Sequence, residues 1–218
     1  MLNIVTFMVR YLDKWEIEAV GDYELVRCRV QLGESTVILQ IIGPKARKVW
    51  KYLNRGTYIY GEGRISHHRG PEGRFMLNIN CAHVNILFPH QVAAITYPTE
   101  QPKKTWCYFS GTGIFKRPWS PEGSSIWYMS LTSKVQNPIS SNLFAFSVKI
   151  PESKLDWIES GFIQVGHRVF VSGLLAVSSA PRSQVALVYG DIHSITQNVN
   201  LHLPDLVPSA VEDYQPCI

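Results

Sequence analysis

Most of the chain alternates apolar and polar residues in steps of two. In ELVRCRVQL (24–32), Val26, Cys28 and Val30 share one face and Arg27, Arg29 and Gln31 the other, the period of a strand buried on one side. STVILQIIG (35–43) follows Gly33 and predicts its hairpin partner. At Pro44 the period changes. In PKARKVWKYL, Ala46, Val49, Trp50 and Leu53 fall at i, i+3, i+4 and i+7, which predicts one short amphipathic helix with proline at its start and Gly56 beyond its end. TYIYGEGRI (57–65) and FMLNINCAHVNIL (75–87) return to strand spacing, and NIVTFMVRY (3–11) precedes the set. The predicted order is three strands, a helix and two strands.

The second half repeats that order. WCYFSGTGIF (106–115), SSIWYMSLTSKV (124–135) and NLFAFSVKI (142–150) predict three strands. PESKLDWIES predicts a helix in which Pro151 stands to Trp157 as Pro44 stands to Trp50. HRVFVSGLL (167–175), with Gly173 in the place of Gly63, and QVALVYGDIHSI (184–195) complete the set. The copies are offset by 107 residues at the helix and 110 at the fourth strand, an internal duplication with a small insertion. Five strands with a helix between the third and fourth match the OB-fold, a small Greek-key barrel. The expected fold class is therefore all-β with one short helix per domain, as two tandem OB-fold five-stranded barrels. Their expected bounds are 1–92 and 105–200, with a linker at 93–104 and a flexible C-terminal tail at 201–218.

Composition adds limits. A chain of 218 residues, 45% hydrophobic and 17% charged, is enough to build ordinary globular cores. No stretch approaches the length of a membrane span, and MLNIVTFMVRY lacks a basic start followed by a long apolar run, so no membrane contact and a cytoplasmic location are expected. Cys28, Cys81, Cys107 and Cys217 form no C-x-x-C pair, which argues against a disulfide framework or a zinc ribbon, and Cys28 and Cys81 fall on core faces. Charge is uneven. Residues 1–98 hold 12 Lys and Arg against 8 Asp and Glu, and residues 99–218 hold 9 against 9, so a polyanion partner is expected on the first half.

The stretch GEGRISHHRGPEGRF (61–75) concentrates reactive side chains at one hairpin tip, where a catalytic loop, a metal site and an anion grip all suggest themselves. Adjacent His67 and His68 on an extended segment point to opposite faces, which suits a shared metal poorly. Gly61-Glu62-Gly63 and Gly111-Thr112-Gly113 lie in strands and open no helix, so phosphate-loop readings fail. There is no Gly-x-Ser-x-Gly and no His-Glu-x-x-His. A non-enzymatic protein without cofactor or metal is expected, and the hairpin becomes the loop between strands four and five of the first barrel, turning at Gly70-Pro71-Glu72-Gly73.

YLNRGTYIYGEGRI (52–65), a Tyr-Leu helix end followed by a strand ending Glu-Gly-basic-aliphatic, resembles the bacterial single-stranded DNA-binding proteins. NIVTFMVRYLDKWEIEAVGDYE is similar to their first strand and the loop after it. The resemblance covers 3–87 in sequence and 106–195 by arrangement. It implies binding of single-stranded DNA without sequence preference, in replication, recombination or repair, by a nucleoid-associated homodimer presenting four OB domains. It also implies a tail tip that docks replication or repair proteins, for which Glu212, Asp213, Pro216 and Ile218 stand here. The sequence departs from the family where stacking aromatics are expected, since those places hold Thr36, Ile42 and Gly70. An alternative is therefore a tandem-OB adaptor, related to primosomal components, that binds proteins and holds single strands weakly or not at all.

Single-strand binding needs cations along the phosphates and aromatic faces for the bases. Candidate contacts in the first half are Lys14 and Trp15 after the first strand, Arg27 and Arg29 on the second, and Tyr58, Tyr60 and Arg64 on the fourth. The last three could instead pack on a partner subunit. The hairpin adds His67, His68, Arg69, Arg74 and Phe75, with Phe75 open between stacking on a base and capping the core. In the second half Lys103, Lys104 and Trp106, and Lys116, Arg117 and Trp119, each set a tryptophan beside paired cations. Tyr128 is a candidate on the polar face of its strand, whereas Trp127, Trp50 and Trp157 read as core. Lys45, Arg47, Lys48 and Lys51 read as the solvated face of the helix.

Overall fold

The computed structural model describes residues 3–20, 22–44, 46–69, 73–87, 91–92, 105–136, 141–179 and 183–196. The first half forms β1 (Asn3–Val20), β2 (Tyr23–Leu32), β3 (Ser35–Ile42), α1 (Ala46–Tyr52), β4 (Tyr58–Arg69) and β5 (Phe75–Leu87). The second forms β6 (Trp106–Trp119), β7 (Tyr128–Gln136), β8 (Ser141–Lys149), a 3-10 turn (Glu152–Lys154), α2 (Asp156–Glu159), β9 (Arg168–Ser179) and β10 (Gln184–Thr196). The fold is all-β and of the OB type. Strands pair in the circuit β1-β2-β3-β5-β4 and back to β1, antiparallel throughout except β3 with β5, where Ile38 faces Asn78. A second circuit, β6-β7-β8-β10-β9 and back to β6, follows the same rule, with β8 and β10 parallel at Phe146 and Ala186.

The inward faces are those the alternation marks: Val26, Cys28 and Val30 of β2 meet Val37, Leu39, Ile65 and Ile79, and the second interior holds Phe109, Phe115, Met129, Leu131, Phe144 and Phe146. Burial pushes the Cys28 thiol up to about 12 and those of Cys81 and Cys107 higher, so all three remain protonated core residues. Gly63 and Gly173 correspond for a shared reason. A Cβ at Gly173 would stand 2.5 Å from the carbonyl oxygen of Tyr189, and one at Gly63 would stand closer still to that of Asn80.

Three elements differ from expectation. β1 does not stop at residue 11 but continues to Val20, with bulges between Tyr11 and Asp13 and between Lys14 and Glu16, and pairs with β2 along its second half. Residues 12–20 are thus half of a curled hairpin instead of a loop. The second helix is divided into a 3-10 turn and the single turn of α2, and α2 stops after that turn because Gly161, at φ 74, turns the chain away. β7 begins at Tyr128, four residues later than predicted.

The two circuits share a seam. β1 and β6, the first strand of each, run antiparallel from Asn3 opposite Gly111 to Met8 opposite Trp106. Met8 is buried there beneath Tyr60 and Trp106, whose rings meet edge to face at 6.3 Å. Asn3 ties β1 to β4 by bonding both peptide groups of Ile65, each at 2.9 Å. A second contact lies at the hairpin ends, where β4 and β5 reach the second barrel. His67 packs on Phe144 with ring centroids 5.2 Å apart and its Nε2 lies 3.2 Å from the Gln184 carbonyl. Phe75 bridges Ser183 through the main chain. Ser35 donates to the Val177 carbonyl at 3.0 Å, and the Gly33 amide donates to the Thr105 hydroxyl at 2.8 Å.

Candidate nucleic-acid interface

On an OB barrel the outer face of strands two and three, with the loops beside it, is the surface that takes oligomers. In the first barrel this face is basic above and amide-rich beneath. Because Val26, Cys28 and Val30 turn inward, Arg27 and Arg29 turn out. Arg27 donates from Nε to Gln40 Oε1 and from Nη1 to Glu18 Oε2, both at 3.2 Å. Arg29 grips Asp13 with two parallel bonds of 2.6 and 2.7 Å. These carboxylates sit on the curled half of β1. Below the arginines lies a buried patch of Gln40, Ser66, Asn78 and Asn80: Asn80 Nδ2 donates to Ser66 Oγ at 2.8 Å and Asn78 Nδ2 to Asn80 Oδ1 at 2.9 Å. Arg64 stands opposite Asn80 across β4 and β5, so Arg27, Gln40, Asn80 and Arg64 form one row over four strands.

The equivalent face of the second barrel is aromatic. Trp119, at the end of β6, stacks on Tyr128 with ring centroids 4.6 Å apart and planes 16° from parallel. Its Nε1 donates to Ser147 Oγ at 3.2 Å, which fixes the indole over β8. The Tyr128 and Tyr189 side chains are hydrogen-bonded, and burial followed by that bond raises the Tyr189 phenol above its ordinary value. Lys149 faces Tyr128 across β7 and β8, and Arg117 faces Ser130 one step along. Trp127, next to Tyr128 in the chain, is 43% exposed and follows a segment held by Ser120 Oγ, which lies 2.9 Å from the Ser124 carbonyl and 2.8 Å from that of Ile126. Rings locked by hydrogen bonds next to ammonium and guanidinium groups can stack planar bases and neutralise phosphates.

The structure divides the predicted residues into groups. Arg27, Arg29 and Arg64 share the first barrel's outer face, and Lys116, Arg117, Trp119 and Tyr128 gather at one end of the second. Tyr128 is on the outer face as expected but is 92% covered, since Trp119 lies over it. Trp127 corrects the core expectation. It precedes β7 instead of sharing its pleat, so the alternation with Met129 and Leu131 does not reach it. Tyr60 and Trp106 lie against each other at the seam, and the surface that Tyr60 covers belongs to its own chain. Lys14 stands 4.9 Å over the Trp50 ring, and Trp50 and Trp157 are half-buried against the cores.

The hairpin that carried the first expectation is also corrected. His67 is not an exposed phosphate contact: it is half-buried between the barrels, against Phe144 and Gln184, and desolvation lowers its pKa to about 4 despite the opposing bond to Gln184. Phe75 does not cap the core and remains 48% exposed at the hairpin end. Arg69 is exposed, Tyr58, His68 and Arg74 are half-buried, and Thr36 gives its carbonyl to Gln184. The Trp15 side chain, Gly70, Lys103, Lys104 and the tip residues Glu212, Asp213, Pro216 and Ile218 lie outside the described residues.

Sequence reasoning missed Gln40, Ser66, Asn78, Asn80, Ser147, Lys149 and Tyr189. The Asn-Ile-Asn run at 78–80 carried a signal, two amides on the solvent side of a strand. Tyr189 shares its parity with Val185 and Leu187, which hides it among core residues. Among the described residues, no group of three or more His, Cys, Asp and Glu could hold a metal ion, and no helix is long and apolar enough to cross a membrane.

No protein-family model matches the sequence, and no curated protein matches it. Solved structures do resemble it. The wild-type single-stranded DNA binding protein from Thermus aquaticus superposes with a TM-score of 0.61 at 12% identity, covering 96% of this chain and 98% of that one. A deletion mutant of the same protein gives 0.60 at 13% identity, covering 94% of this chain and 98% of the other. The chain has their fold. At that identity the likeness carries the backbone arrangement and leaves the site to be argued from its own side chains.

Proposed function

We propose that this chain binds single-stranded DNA without sequence preference, as a non-enzymatic protein of replication, recombination or repair. The observation that carries the reading is the second barrel's outer face, where Trp119, Tyr128 and Tyr189 are locked beside Lys149 and Arg117 on the surface that OB barrels use for oligomers. The fold shared with a protein described as single-stranded DNA binding supports it. In this reading residues 1–92 and 105–200 are two OB domains joined by 93–104, two chains associate to present four, and the tail at 201–218 recruits partner proteins from a nucleoid-associated particle in the cytoplasm.

The test is a titration with poly(dT) at low and moderate salt. Tryptophan fluorescence should fall on binding, and affinity should weaken as salt rises, with a slope of about −0.7 per neutralised phosphate. A sedimentation measurement of mass checks the dimer. Absence of quenching at low salt would overturn strand binding. It would favour a tandem-OB adaptor, a reading supported by one observation: Arg27 and Arg29 are already bonded to Glu18 and Asp13.

A further inference from the structure

We propose that Gln184 is a positioning residue that welds the basic face of the first barrel and the aromatic face of the second into one composite site, so that a long strand is held by both at once. The inference rests on the strand-binding reading and adds to it the residue on which two-barrel engagement depends.

Gln184 opens β10, the strand that carries Tyr189 five residues later. It is 5% exposed and makes three bonds to the other barrel. Its Oε1 accepts from the Leu77 amide at 2.8 Å, its Nε2 donates to the Thr36 carbonyl at 2.7 Å, and its own carbonyl lies 3.2 Å from His67 Nε2. Thr36 and Leu77 belong to β3 and β5, the parallel pair in which Ile38 lies opposite Asn78. The Gln184 amide therefore stands where the next peptide group of that ladder would stand, donating on one side and accepting on the other. A primary amide does both from one planar, uncharged group. One residue beyond Leu77 lies Asn78, two beyond Thr36 lies Ile38, and four beyond Thr36 lies Gln40, the amide under Arg27. One side chain thus fixes the ends of the two strands beneath the arginines to the start of the strand behind the aromatic stack.

Tethering two sites on one rigid body makes the second engagement intramolecular, and its gain appears only for ligands long enough to reach both. An OB barrel takes roughly 4–16 nucleotides, so oligo(dT) of about 8 nucleotides samples one face and oligo(dT) of about 35 samples both. In Gln184→Met, of similar length but unable to make either side-chain bond, affinity for the long oligomer should fall about tenfold or more, with the short one unchanged within about twofold. Hydrogen exchange at the Leu77 amide should quicken in the same variant, which reports the broken weld without any ligand. If Gln184→Met proves unstable, Ser35→Ala, which removes only the bond to Val177, should show the same length dependence in weaker form. Equal losses at both lengths, or none at either, would overturn the coupling while leaving strand binding intact. Failure of the unaltered protein to bind either length would overturn strand binding and the coupling together.

Discussion

The two barrels share one path of strands and present opposite chemistry on the same face. In the first, β2 and β3 put out arginines over buried amides, and the arginines are held by carboxylates from β1. In the second, the end of β6 lays Trp119 over Tyr128 of β7, with Lys149 of β8 and Arg117 of β6 at the edge of the stack. Strand order does not distinguish them, because the inward residues that set it are apolar in both. The outward residues are free to differ, and they do. The lesson is that the OB path fixes which face points outward and leaves open the chemistry that each barrel puts on it.

The largest expected effect concerns the contact that keeps both faces on one body. His67 titrates near 4 when folded and near its ordinary 6.5 when unfolded, so the folded state binds fewer protons in between. Its contribution is whole above about pH 6.5 and is lost as pH falls toward 4, up to about 3 kcal/mol. Chemical denaturation from pH 7 to pH 4 should show a steeper loss in the natural protein than in His67→Gln. Identical profiles would mean that His67 is solvated. Next, Trp119→Ala should weaken poly(dT) binding by about 1–3 kcal/mol and remove much of the fluorescence quenching. A loss as large on replacing Tyr60, which lies at the seam, would erase the contrast between the faces.

Smaller effects separate phosphate from base. Arg27→Ala should make the salt slope shallower by about 0.7, the mark of one phosphate contact, while leaving quenching per bound strand unchanged. Asp13→Asn should act in the opposite sense, tightening binding about two- to fivefold by freeing Arg29 from its bidentate partner. No change in either would place the first barrel's arginines outside the strand path. Smallest of all, Lys14 over Trp50 and Lys154 over Trp157, each at 4.9 Å, are matched contacts in the two halves. Lys14→Met should cost about 0.5 kcal/mol in a urea melt, and Lys154→Met more, since Lys154 also bonds Asp191 and the Ile192 carbonyl, with no effect on binding in either.

Sequence alone located what repeats locally. The strand at 75–87 appears with the predicted ends, the helix at Ala46 follows its 3.6-residue spacing, and Gly63 and Gly173 meet the same steric demand. What depends on distant pairing was illegible. The β1–β6 seam leaves no periodic mark, because a strand reads the same whether its free edge meets water or another strand. The pattern likewise placed Tyr128 outward, yet nothing local says that Trp119 folds over it. His67 and His68 look alike in the hairpin, and only the approach of Phe144 and Gln184 singles out His67 as a contact between the two barrels. For the site, then, the cations and tryptophans were visible by type, and their company was not.

The seam has a consequence for inheritance. The first strands of the two barrels meet antiparallel across it, the arrangement by which two identical subunits join about a twofold axis. Were the halves separate copies of one chain, a codon change would alter both faces together, and any gain in stacking would be matched by a loss of the same arginine. With both halves encoded in series, each can change while the other is held constant. Halves of one chain are under no such enforced likeness, and here one presents arginines where the other presents an aromatic stack.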